Sequence, residues 1–185
     1  LQIRLEFEQN GVWHKKDLLV TMRSPGNDFD LAMGFLFAEG MIKSEKDILL
    51  MRYCQQVKAE EKGNVLIIQF VKGHTIDFKK LERNFYTHSS CGVCGKTAIA
   101  AVKCENGTLP LDKNWQLSPE TILSIPKNLQ ASQTAFKYTG GLHAAALYDQ
   151  KGELLLLRED IGRHNALDKL IGAGMKEKIT FVNRK

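Results

Sequence analysis

Two cysteines separated by two residues, Cys91 and Cys94, lie in the octet SSCGVCGK (89–96), with glycine at 92 and 95 and Lys96 following. Thiols so spaced bind zinc, exchange disulfides or act as thiolate nucleophiles. Structural zinc usually takes four ligands, often as two such pairs. Here Cys54 and Cys104 stand apart, so a zinc site would need Cys91, Cys94 and two histidines, His88 being nearby. A thioredoxin-like pair should follow a strand early in a βαβ pattern, whereas this one sits mid-chain behind the polar NFYTHSS. The third chemistry is a reactive thiolate. KTAIAAVKC (96–104) reads as a helix, which puts the pair at a helix N-terminus. There the free amides and the dipole favour negative sulfur, and Lys96 adds a positive charge. Such a thiolate attacks a persulfide or a disulfide. Flanking glycines mark a turn rather than a packed core, while Cys54 and Cys104, among apolar neighbours, read as buried structural cysteines. Cys91 is expected to be more reactive than Cys54.

Two further clusters carry hydrogen-bonding chemistry. TGGLHAAAL (139–147) places Gly140 and Gly141 before His143; glycines admit a ligand close to the backbone, or simply make a tight turn. REDIGRHNALDK (158–169) packs Arg158, Glu159, Asp160, Arg163, His164, Asn165 and Asp168 into eleven positions around Gly162. At a strand-to-helix junction, Arg163 and His164 would add donors to a helix N-terminus for a phosphate. Asp160 would accept from a base or ribose hydroxyl, or cap the helix. The alternative is a solvated turn laced with ion pairs. RSPGND (23–28) has the same look, and an ordinary helix entry explains it as well.

These residues need elements to hold them. QIRLEFE and DLLVTMR read as strands joined through QNG, and Asn27 or Asp28 caps a helix with Leu31, Phe35, Ala38 and Ile42 on its apolar face. ILLMRYCQQV and NVLIIQFV form an expected antiparallel pair, with HTIDF as a short third strand. ENGTLPLDKN is a loop and the expected boundary between a domain over 1–108 and one over 109–185. Ser118 and Pro119 start a helix, and Pro126 is expected to open another. A hairpin turns at Lys151-Gly152, and NALDKLIGAGM follows as an amphipathic helix with Ala166, Leu167, Leu170 and Ile171 on one side. Strands and helices mix without strict βαβ alternation, giving an α+β or mixed α/β class.

The 185 residues suffice for one ordinary domain or two small ones. Apolar residues at 43% and charged residues at 25% are the profile of a globular protein in water. No apolar run approaches the length of a membrane span. A net charge of +5 suits an anionic ligand and is too mild to imply nucleic acid. The first residues, LQIRLEFEQNG, alternate and are no signal peptide. The missing initiator methionine suggests a trimmed front, and KITFVNRK reads as a strand cut short.

Taken together, SPGNDFDLAMGFLFAEGMI, SSCGVCGK, TGGLHAAAL and REDIGRHNALDKLIG, in that order, resemble the formate dehydrogenase accessory sulfurtransferase family, FdhD. The resemblance covers nearly the whole chain. It implies a cytoplasmic, homodimeric sulfur carrier that takes persulfide sulfur from a cysteine desulfurase. The sulfur passes to the molybdenum or tungsten bis-guanine-dinucleotide cofactor of formate dehydrogenase, a bound client rather than a permanent metal. It implies Cys91 as persulfide carrier and Cys94 as its partner. It directs the guanine nucleotide to Gly140, Gly141, His143, Asp160, Arg163, His164 and Asn165. It also implies a cytidine-deaminase-like C-terminal part, which in the family runs on beyond the position of Lys185. A zinc deaminase would need H-x-E and a downstream P-C-x-x-C; His143 is followed by two alanines and the cysteine pair lies upstream, so deaminase chemistry is not expected. The alternative function is a cofactor-binding chaperone whose CxxC is structural, with or without zinc.

Overall fold

The computed structural model describes residues 1–78 and 116–179. The cysteine loop, the helix expected after it, Cys104 and the expected boundary at 109 lie outside those residues. Among the described residues the elements are β1 (Gln2–Gln9), β2 (Val12–Val20), α1 (Asp28–Ala38), β3 (Ile48–Tyr53), β4 (Val65–Phe70), α2 (Pro119–Ser132), α3 (Thr134–Thr139), β5 (His143–Tyr148), β6 (Leu154–Asp160) and α4 (Arg163–Lys176). The class is mixed α and β, as the sequence implies. None of these helices is long and apolar enough to cross a membrane.

One sheet has the order β2-β1-β4-β3. Asn10 and Gly11 make the β1–β2 turn with positive φ, 52° and 78°, the left-handed backbone that matches a two-residue hairpin to strand twist. β2 begins at Val12, five residues before the expected strand, because WHKKD pairs with β1 despite its polarity. It is an edge strand, where lysines are tolerated. VLIIQF is β4, flanked by β1 in parallel and β3 in antiparallel register, and all of it but Gln69 is buried. HTIDF forms no strand. His74 instead bonds to the Met41 carbonyl at 2.8 Å and stacks on Phe70, while Phe78 packs on Phe7.

Helix α1 is buried on more sides than a surface helix, with Leu31, Ala32, Met33 and Leu36 in the main core. The expected face is therefore corrected: Phe35 is only partly buried, Ala38 is exposed, and Ile42 is buried but follows the helix. The cause is α4, which crosses α1 with backbones almost in contact. A Cβ at Gly34 would run into the backbone of Asp168, and one at Gly172 into that of Asp30. Only glycine permits this approach.

Pro126 opens no new helix; it lies inside the continuous α2. No residue of α2 is buried, so water can reach the carbonyl deprived of its N–H partner. Ser118 caps α2 as expected, accepting from the Thr121 amide at 3.1 Å. β5 and β6 form a separate antiparallel ribbon, and Leu156, Leu170 and Ala173 join it to α4. On α4, Ala166 and Leu170 are buried as expected, whereas Leu167 of the expected face is exposed and Lys169 is buried. Cys54 is half-buried rather than buried, with Sγ 3.8 Å from the Gln56 carbonyl.

Candidate functional site

The β5–β6 ribbon brings two of the sequence clusters together. Beyond a register shift between Leu147 and Tyr148, His143 pairs with Asp160 and Ala144 with Glu159. The start of β5, the end of β6 and the N-terminus of α4 thus meet at one end of the ribbon. Gly140 closes α3 with φ 66°, and its amide donates to the Phe136 carbonyl at 2.8 Å. Gly141 and Leu142 then lead into β5. A depression of about 530 Å³ adjoins this turn, lined by Lys127, Gln130, Ala131, Phe136, Lys137 and Gly140.

Three consecutive residues of β6 each hold a different element. Arg158 donates to Asp30 on α1 at 3.1 Å. Glu159 accepts from the Ala135 and Phe136 amides of α3, both at 2.9 Å. Asp160 is fully buried and lies 2.6 Å from the equally buried Lys169 ammonium. Its other acceptor positions take the Ser24 amide at 3.1 Å, the Gly162 amide at 2.9 Å and the Asn165 side-chain amide at 3.1 Å. Asp160 was expected to face a ribose or cap the helix. Its carboxylate instead works inside the protein, as the junction of three segments.

RSPGND belongs to that junction. Ser24 Oγ accepts from the Ile161 amide at 3.0 Å, and the Ser24 carbonyl accepts from Lys169 at 2.9 Å. Asn165 donates to the Met22 carbonyl at 2.7 Å. On the other side of the same loop, Arg23 makes a two-pronged pair with buried Asp28, both bonds 2.9 Å, and Tyr53 donates to that carboxylate at 3.0 Å. Burial, with the Asp28 bond adding, raises the Tyr53 hydroxyl above its usual range. The entry to α1 is thereby tied to the entry to α4.

What remains outside the junction is a set of unengaged donors. His143 and Arg163 are exposed and His164 is half-buried. Among the described residues none of the three has a hydrogen-bond or ion-pair partner. Gly162 occupies the N-cap of α4, and among the described residues no side-chain cap bond is made to that helix. First-turn amides with no side-chain cap among the described residues, beside an arginine and a histidine, form a surface suited to a phosphate or other anion. Of the residues expected in the site, Gly140, Gly141, His143, Arg163, His164 and Asn165 are thus brought to one end of the ribbon, and Asp160 supports them from beneath. Cys91 and Cys94 lie outside the described residues. The sequence reading missed Lys169, Ser24 and Glu159 as the parts that hold this surface. A signal for Lys169 is its place about two α-helical turns after Gly162, on the stripe of Ala166 and Ala173.

The FdhD/NarQ family model matches residues 4–184. The sulfur carrier protein FdhD of Streptomyces coelicolor is 43% identical over 93% of this chain and 61% of that protein. The sulfur carrier protein FdhD of Mycobacterium tuberculosis is 42% identical over 91% of this chain and 61% of that protein. The chain therefore spans about three fifths of the length of these curated relatives. The crystal structure of a Desulfotalea psychrophila protein described as a formate dehydrogenase accessory protein superposes with a TM-score of 0.51. It covers 96% of this chain and 70% of that one at 18% identity, a likeness of fold.

Proposed function

This chain belongs to the FdhD/NarQ family, and on that footing we propose that it carries sulfur for formate dehydrogenase. The Cys91 thiolate attacks the outer sulfur of a persulfide on a cysteine desulfurase. The donor's S–S bond breaks, its cysteine leaves as a thiolate, and Cys91 holds the persulfide. Delivery as sulfide needs two electrons. Cys94 supplies them by attacking Cys91 Sγ, which forms the Cys91–Cys94 disulfide and expels sulfide toward the metal of the client cofactor.

The observation that carries the reading on the binding side is the meeting of the 140–143 turn with the uncapped start of α4 at one end of the ribbon. In this reading Gly140, Gly141 and His143 receive the guanine nucleotide of a molybdenum bis(molybdopterin guanine dinucleotide). Arg163, His164 and the α4 amides take its diphosphate. Asp160 and Asn165 act by holding those amides in place. We assign residues 109–185 to a cytidine-deaminase-like domain and 1–108 to an N-terminal one, in a cytoplasmic homodimer.

The test is intact mass under non-reducing conditions after incubation of the intact polypeptide with a cysteine desulfurase and free cysteine. One added sulfur, lost on reduction and absent in Cys91→Ala, is the expected result. Wild-type protein that takes up no sulfur, or a Cys91→Ala variant that still activates formate dehydrogenase, would overturn the carrier role and leave a cofactor chaperone.

A further inference from the structure

The structure assigns Glu159 as a positioning residue that sets the Gly140–His143 turn against the start of α4. Helix α3 has six residues, far below the length at which a helix holds itself in water. Its N-cap position, Gln133, makes no side-chain bond to it. The missing cap comes from another strand: the Glu159 carboxylate accepts from the Ala135 and Phe136 amides, both at 2.9 Å. A carboxylate taking two backbone amides at a helix N-terminus is a charge-assisted pair aligned with the dipole.

The same residue also closes the far end of the segment. Its backbone pairs with Ala144, the second residue of β5. One residue therefore clamps 135–144 at both ends, and the positive-φ Gly140, Gly141 and His143 lie inside the clamp. Asp160, next in sequence, is locked to Ser24, Gly162 and Lys169. Any slack at Glu159 would thus move the glycine turn and leave Arg163 and His164 where they are.

This inference rests on the proposed nucleotide surface, so the experiment has one arm that does not. In the intact polypeptide, Glu159→Ala and Glu159→Gln are compared with wild type well below the melting transition, where all three are folded. The first arm reads amide exchange at 134–141 and the His143 ring resonances. Loss of two charge-assisted bonds should speed exchange at Ala135 and Phe136 by about tenfold or more and shift His143. Glu159→Gln, which keeps one acceptor, should fall between. Unchanged exchange or an unmoved His143 overturns the assignment. The second arm titrates GDP. Weaker GDP binding in Glu159→Ala supports positioning, and equal binding overturns it in favour of a mere cap. Should wild type bind no GDP, the nucleotide surface falls, and the first arm alone decides for or against Glu159.

Discussion

Replacing Gly172 by alanine pits two rules against each other. In a helix interior, glycine to alanine should stabilise by up to about 1 kcal/mol, because glycine loses more backbone entropy on folding. At this position the added Cβ would lie against the Asp30 carbonyl, well inside the 3.0 Å that real Cβ contacts respect. The obstacle is backbone on a buried helix, not the end of a flexible side chain, so α1 and α4 must part. Overpacking of that kind costs roughly 1–3 kcal/mol, sometimes more. Parting also lengthens the bonds that cross the interface, Arg158 to Asp30 at 3.1 Å and Lys176 to Asp30 at 2.8 Å. We expect net destabilisation on the order of 2 kcal/mol, read as a lower urea midpoint with unchanged slope. Gly34→Ala acts on the same crossing through Asp168, so the two should be non-additive. Once one has separated the helices, the other costs less, with a coupling of about 0.5 kcal/mol or more. A stabilised Gly172→Ala protein, or strict additivity with Gly34→Ala, would refute the close-crossing argument.

Lys169→Met should be the more damaging change at the junction. It leaves the fully buried Asp160 carboxylate without its counter-charge, a loss of about 3–5 kcal/mol, seen in urea unfolding. Asp160→Asn in the Lys169→Met background should recover part of that loss, and no recovery would mean the pair is not the cause. Asp168 governs a pH dependence. Burial, with the nearby charge of Glu39 adding, pushes its carboxyl up to about 7. A raised carboxyl contributes stability that is intact below its unfolded value near 4 and is lost as pH rises through about 7. Asp168→Asn should therefore gain on wild type between pH 4 and pH 8, by about 4 kcal/mol at most, in melting curves across that range. A gain that does not grow with pH would remove Asp168 as the source.

Local signals were legible in the sequence where one short stretch decides the outcome. Asn10-Gly11 and Lys151-Gly152 announce hairpins, Ser118-Pro119 a helix start, and VLIIQF a strand buried on both faces. The second hairpin is legible from its turn, but its register shifts between Leu147 and Tyr148, so the pairing of His143 with Asp160 does not follow by counting alone. Long-range features were not legible. The parallel β1–β4 pairing depends on a connection of more than fifty residues. The burial of α1 on more than one face depends on a helix more than a hundred residues away, and nothing in SPGNDFDLAMGF says that Gly34 meets the backbone of Asp168. Lys169 reads as a surface charge until its partner is known, since a buried lysine is tolerated only when paired and hydrogen-bonded.

The REDIGRHN stretch shows why a charged run need not be a solvated turn. Alternate residues of a strand face opposite sides, and here the period sorts the charges. Arg158 and Asp160 reach toward α1, Ser24 and Lys169, while Glu159 reaches toward α3. The strand therefore fixes two independent things at once: the seating of α4 on α1, and the seating of the glycine turn on the ribbon. Beyond Gly162 the chain turns helical and the same kind of residues, Arg163 and His164, find no partner among the described residues. Among the described residues, this change from engaged to unengaged side chains is what supports placing the proposed binding surface just beyond the supporting strand. A substitution before Gly162 should therefore act on stability and loop position together, whereas Arg163→Ala should lower GDP affinity with stability within about 0.5 kcal/mol of wild type. Unaltered GDP binding in that variant would place the anion elsewhere on the protein.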